Sequence, residues 1–163
     1  MQVYLLRHGI SEEERVGLSD ADRALTSEGR RKLRQTLQAA ARADVKPTLI
    51  LSSPLKRAMQ TAEIAKEVLI CKNGIVSTRA LLPGSTSDQV WEEIRDNKNE
   101  PSVVLVGHNP LFASLAGYLL GQPELQVDFK KGAILRLDME GFSSQPKGIL
   151  HWYLTSKLAA DNG

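Results

Sequence analysis

The chain has 163 residues, 42% of them hydrophobic and 25% charged, which is ordinary composition for one globular domain with a sizeable core. With 21 basic and 19 acidic residues the net charge is +2, which excludes the basic surplus that grips nucleic acid. Cys71 is the single cysteine, so an intrachain disulfide and a multi-cysteine metal cluster are excluded too.

The longest apolar runs are far shorter than a membrane span. The N-terminus shows neither a cationic n-region nor an apolar h-region, so a soluble cytoplasmic protein without a membrane partner is expected.

Residues 2–9, Gln-Val-Tyr-Leu-Leu-Arg-His-Gly, open the chain with a short apolar run that has no helical period. This pattern predicts a strand buried on both faces of a parallel sheet. Ligands of open α/β sheets bind at the carboxyl ends of such strands, which is where Arg7 and His8 fall. Gly9 leaves room for the backbone to approach a ligand closely. Taken alone, the three residues could equally do no more than close off a strand.

Residues 10–25 form a polar stretch with Glu12, Glu13, Glu14, Arg15, Asp20, Asp22 and Arg23, predicted as a long loop. The three consecutive glutamates read as a solvated charge run. Thr26-Ser27-Glu28-Gly29 carries a hydroxyl cap and an acid for the positive end of a helix. Leu33, Leu37, Ala40 and Ala41 then share one face of that helix, predicted to run to about residue 43.

Residues 48–51 predict a second buried strand, which runs into Ser52-Ser53-Pro54-Leu55-Lys56-Arg57. A helix is predicted from there to residue 69, with Pro54 in its first turn and Ser52 or Ser53 as its cap. Arg57 would then lie among helix-opening amides that favour an anion.

A third strand is predicted at Ile75 and Val76, followed by a loop over residues 81–87 and a helix capped by Thr86 or Ser87. Trp91 in that helix reads as a core anchor. Residues 103–106, Val-Val-Leu-Val, form the clearest strand and end at Gly107-His108. The helix over residues 111–120 should stop at Gly121. Two late strands are predicted at 132–137 and 149–154, with His151 structural rather than catalytic, and a tail at 159–163 that frays.

Three strand ends thus bring Arg7 and His8, Arg57, and His108 toward one sheet rim. Two guanidiniums offer forked donors that match a tetrahedral oxyanion. A neutral imidazole is a competent nucleophile near neutral pH.

Together the ordered motifs resemble the histidine phosphatase superfamily. They are Arg7-His8-Gly9, Leu25-Thr26-x-x-Gly29, Ser52-Ser53-Pro54-x-x-Arg57-Ala58-x-Gln60-Thr61-Ala62 and Gly107-His108. The length and the Asp20-x-x-Arg23-x-Leu25-Thr26 run resemble its small bacterial phosphohistidine phosphatases of the SixA type.

The resemblance implies a single domain over residues 1–163 with a three-layer α/β/α fold of the phosphoglycerate mutase kind. Its central sheet would be mostly parallel, of about six strands, with helices on both faces. His8 would attack phosphorus and become transiently phosphorylated, with Arg7, Arg57 and His108 as the phosphate clamp. Arg23, Gly9 and Ser53 would contact substrate. No cofactor and no metal are implied, since arginines supply the charge that phosphoryl transfer asks for. Nearby cations should also disfavour protonation of His8.

Relatives that act as mutases or on broad substrates place a glutamate proton donor after the third strand, where this chain has Leu81-Leu82-Pro83-Gly84-Ser85. An imidazole leaving from a phosphoramidate needs less help than an alkoxide, so the missing acid favours phosphohistidine. The expected enzyme is a phosphohistidine phosphatase acting on a phosphotransfer or signalling protein, and a monomer. Glu12, Glu13, Glu14, Asp20, Asp22 and Asp88 remain possible proton donors. The alternatives are a phosphatase for small phosphoesters and a phosphoryl-binding module without turnover.

Overall fold

A mixed six-stranded sheet separates two apolar layers, each closed by helices. The computed structural model describes residues 1–160. Along the chain come β1 (Gln2–Arg7), a 3-10 turn (Asp20–Asp22), α1 (Ser27–Arg42), β2 (Leu49–Ser52), α2 (Lys56–Leu69) and β3 (Ile75–Ser77). A second 3-10 turn (Arg79–Leu81), α3 (Ser87–Asp96), β4 (Ser102–Gly107), α4 (Leu111–Leu119), β5 (Ile134–Asp138), β6 (Ile149–Leu154) and α5 (Ser156–Ala160) complete it.

The strand order is β3-β2-β4-β1-β5-β6. The first four run parallel, with Leu5 opposite Leu105 and Leu51 opposite Leu105 on the other side. β5 is antiparallel to β1, and β6 to β5. The mostly parallel sheet expected from the sequence is therefore present. One detail differs, because β1 has a parallel neighbour on one side and an antiparallel one on the other.

Period-two alternation assigns each β1 residue to a layer. Val3 and Leu5 pack with Val90, Trp91, Ile94, Phe112 and Leu115 of α3 and α4. Tyr4 and Leu6 pack with Leu33, Leu37, Ala58 and Ala62 of α1 and α2. Because both faces are covered, residues 3–6 are all fully buried, which explains an apolar run with no polar interruption. Trp91 is a core residue, as predicted, and its indole nitrogen donates to Ser143 O at 3.0 Å.

Local signals placed most helix ends. Thr26 caps α1 by accepting from Gly29 N at 2.9 Å, Thr86 forms a capping box with Gln89, and Gly121 follows α4 with φ +76°.

The predicted cap of α2 is corrected. This helix starts at Lys56 after Leu55, without a side-chain cap, and Pro54 lies before it. Both serine hydroxyls have other partners, Ser52 Oγ donating to Ser53 O and Ser53 Oγ lying against His108.

The C-terminal tail is also corrected in part: Ala159 is buried inside α5, which packs on α1, whereas residues 161–163 lie outside the described residues. His151 sits exposed on β6, 3.2 Å from the Asp138 carboxylate. Among the described residues, no helix is long and apolar enough to cross a membrane.

Candidate active site

β1, β2 and β4 are adjacent and parallel, so their carboxyl ends deliver residues 7–8, 52–53 and 107–108 to one rim. His8 N donates to Gly107 O at 3.0 Å and Ser53 N donates to Val106 O at 3.0 Å, which extends the ladder by one residue on each side. The His8 and His108 rings meet there with centroids 5.0 Å apart.

The tautomer of His8 follows from its partner. Nδ1 lies 2.7 Å from Gly9 O, and a carbonyl can only accept, so Nδ1 carries the hydrogen and Nε2 the lone pair. Burial pushes the imidazole pKa down to about 3, with Arg57, Arg7 and Lys131 adding to the effect against the opposing Gly9 hydrogen bond. His8 is therefore neutral at physiological pH, with the Nε2 lone pair free.

His108, 1% exposed, is likewise pushed down to about 3 by burial, then by His8 and Arg57. Its Nε2 is 2.7 Å from Ser53 Oγ, and its Nδ1 is buried without a partner.

Arg7 donates from Nη1 to Phe129 O at 2.7 Å, and its buried Nε has no partner. Arg57, 4% exposed on the opening turn of α2, bonds the backbone carbonyl and the carboxylate of Asp20 and likewise keeps an unpartnered Nε. Unpaired N–H groups at buried positions are costly, so the Nε–H groups of Arg7 and Arg57, converging beside the unpartnered ring nitrogen of His108, mark a place suited to an anion.

Thr61 ties two motifs together, accepting from Gly9 N at 3.2 Å and donating to Arg57 O at 2.8 Å. Gln60 accepts from Leu25 N at 2.8 Å and fastens the end of the 10–25 loop to α2. Gly29 belongs to the same packing, since a Cβ there would come within 2.2 Å of Ile10 O. Gly9 is explained by this contact too. A Cβ on it would stand 3.3 Å from Gly29 O, so its small size lets α1 pack close.

The 10–25 loop is more ordered than its charge suggested. Ser11 bridges to Leu25, and Glu12 accepts from Ala24 N at 2.9 Å and pairs with Arg15, so this glutamate is a structural anchor rather than part of a solvated run. Arg23 donates twice to Asp20 Oδ1 and once to Glu12 O. Burial raises the Asp20 carboxyl pKa, but hydrogen bonds and charge from Arg23 and Arg57 more than offset it and hold the group below its ordinary value.

Sequence reasoning left Asp20 as one of several possible acids, and its i,i+3 spacing to Arg23 was the one signal of its engagement. The contributions of Phe129 O, which anchors Arg7, and of Lys131, which acts on His8, were missed. Both lie on the connection into β5, where Gly132 N donates to Arg7 O and His8 O. No local pattern announces that contact.

Beside Arg57 opens a groove of about 860 Å³ lined by Asp20, Leu55, Thr78, Leu82, Pro83 and Gly84, with Glu92 and Glu93 on its α3 side. Glu93 accepts from Thr78 Oγ at 3.0 Å and Glu92 pairs with Arg95. Of the other candidate acids, Asp22 accepts from Ser19 and Asp88 from Tyr118. Among the described residues, no group of three or more His, Cys, Asp or Glu side chains is arranged to hold a metal ion.

Residues 3–75 match the family described as histidine phosphatase superfamily (branch 1). An uncharacterised protein of Picosynechococcus sp. is 31% identical over 139 residues, which are 84% of this chain and 84% of that protein. The chain belongs to the histidine phosphatase superfamily and is a phosphatase of that superfamily.

Its fold is similar to that of the protein histidine phosphatase SixA in complex with tungstate, with TM-score 0.86 and 26% identity over 96% of this chain and 98% of that one. A protein of Agrobacterium tumefaciens described as a SixA phosphohistidine phosphatase gives 0.78 and 25%, over 94% and 97%. A mycobacterial glucosyl-3-phosphoglycerate phosphatase, at TM-score 0.66 and 20% identity over 92% and 96%, shares the fold alone.

Proposed function

We propose that this chain is a single-domain, monomeric cytoplasmic phosphohistidine phosphatase that works through a phosphorylated His8. The observation that carries the reading is the Nδ1 contact to Gly9 O, which leaves Nε2 of a buried neutral imidazole with its lone pair among Arg7, Arg57 and His108.

In the first step His8 Nε2 forms a bond to phosphorus as the P–N bond of the substrate breaks, and the departing imidazole keeps the electron pair and takes a proton from solvent water. In the second, water attacks the phosphoryl group on His8, the P–N bond breaks, and the electron pair returns to Nε2 as inorganic phosphate leaves. Arg7 and Arg57 neutralise the equatorial oxygens throughout, with His108 as the third member of the clamp and Arg23 at its edge. These groups supply the positive charge without a metal ion.

The choice of substrate rests on leaving groups. Among the carboxylates near the clamp, Asp20 is held ionised and Glu92 and Glu93 are ion-paired or hydrogen-bonded, so these three are not free to protonate an alkoxide, while Glu14, whose charge reaches Arg57, stays a candidate acid for the second reading. An imidazole leaving group tolerates that lack. The likeness to SixA, a protein histidine phosphatase, supports a protein as the bearer of the phosphohistidine, and a phosphotransfer protein in signalling is the proposed source. The groove beside Arg57 is the feature that favours the second reading, a phosphatase for small phosphoesters whose leaving group would occupy it.

Hydrolysis of a histidine-phosphorylated protein is to be compared with that of a matched phosphoserine substrate at one pH, with chelator present. The expected efficiency is at least about two orders of magnitude higher on phosphohistidine, the lower end of what a general acid contributes. Equal efficiency on both would overturn the substrate, and activity restored only by a divalent ion would overturn the metal-free mechanism.

A further inference from the structure

His108 uses its two ring nitrogens differently. Nε2 is 2.7 Å from Ser53 Oγ, whereas Nδ1 is buried without a partner. Ser53 is wholly buried just past the end of β2, and its backbone N–H bond to Val106 O fixes the hydroxyl beside the imidazole of His108, just past the end of β4. Leu55 N also donates to Ser53 Oγ, at 3.3 Å. The oxygen therefore already receives one N–H, and the hydroxyl hydrogen needs an acceptor.

We propose that Ser53 is a positioning residue that donates to His108 Nε2 and so fixes this imidazole as its Nδ1–H tautomer, turning the free nitrogen into a donor for a phosphoryl oxygen. The inference rests on reading the site as a phosphoryl clamp. It replaces the expectation that Ser53 itself contacts substrate.

The two other states are disfavoured. If Nε2 carried the hydrogen and donated to Ser53, the hydroxyl hydrogen would lose Nε2 as its acceptor, and the Nδ1 lone pair would be offered to phosphoryl oxygens that are themselves negative. The imidazolium would satisfy both sides, but it would place a charge in a buried position beside His8, Arg57 and Arg7, and burial and these neighbours oppose that. A serine at this position lets a neutral ring serve as a donor, which is what a dry phosphate pocket needs next to a neutral nucleophile.

The test uses the intact protein labelled with nitrogen-15 in histidine, with His108 assigned by comparison with His108→Gln. At pH 7 the Nδ1 resonance of wild type should be of the hydrogen-bearing type and Nε2 of the lone-pair type. Ser53→Ala should mix the tautomers and weaken vanadate binding about tenfold, the size of one hydrogen bond. Ser53→Thr, which keeps the hydroxyl, should restore both.

A hydrogen on Nε2 in wild type would overturn the proposal, as would a folded Ser53→Ala protein whose His108 spectrum is unchanged. Should the alanine variant not fold, the wild-type spectrum still decides. Failure of wild type to bind vanadate would instead overturn the clamp reading, and the spectrum distinguishes the two because it needs no ligand.

Discussion

Arg57 and Asp20 are bonded twice: Nη1 donates to the backbone carbonyl of Asp20 at 2.8 Å, and Nη2 lies 3.2 Å from its carboxylate. The guanidinium is buried and the carboxylate half exposed, so the pair forms where the 10–25 loop folds over the start of α2. An ionised carboxylate in this place holds the arginine but repels an arriving phosphoryl group.

Asp20→Asn should therefore bind phosphate or vanadate about two- to fivefold more tightly, the range of a half-exposed ion pair. The backbone carbonyl still accepts from Nη1, so Arg57 should keep its place. Titration calorimetry checks this, and weaker binding would show that the carboxylate positions Arg57 more than it competes.

Replacing Arg7, Arg57 or His108 by Ala should each cost about 2 to 4 kcal/mol of transition-state stabilisation, as for other preorganised charge-stabilising groups. The losses should fall on kcat/KM while the proteins remain folded by circular dichroism. A variant with wild-type kcat/KM would remove that residue from the clamp.

The two buried histidines predict how stability depends on pH. Both have folded-state values pushed down to about 3 from 6.5, so the unfolded chain binds more protons than the folded one between these limits. Their contribution is complete above pH 6.5 and is lost as pH falls toward 3, by about 1.4 kcal/mol per pH unit for each proton taken up. Denaturant titrations should show the decline, and a folded His108→Gln protein should show a shallower one. An identical slope in the variant would mean that His108 is not held neutral by the fold.

Where the sequence was legible, one residue type had one dominant physical reason to be there. The run through residues 3–6 is apolar because both sheet faces are covered, and Thr26, Thr86 and Gly121 mark helix ends through backbone groups a few residues away. Arg7, His8, Arg57 and His108 could be placed at one rim because each follows a recognisable strand. What stayed hidden depended on contacts between distant segments. Nothing near Ser53 tells that its hydroxyl turns to His108, 55 positions later, rather than to the helix it precedes. The anchoring of Arg7 by Phe129 spans 122 positions and uses a carbonyl, which any residue could supply.

The central claim is that His8 Nε2 carries the phosphoryl group, and the most direct measurement traps it. Enzyme mixed with a substrate labelled at phosphorus and quenched within milliseconds in alkaline detergent should yield an acid-labile, base-stable adduct, which mass spectrometry places on His8. His8→Ala, folded, should give neither adduct nor turnover. Turnover persisting in His8→Ala, or an adduct on any other residue, would contradict the account.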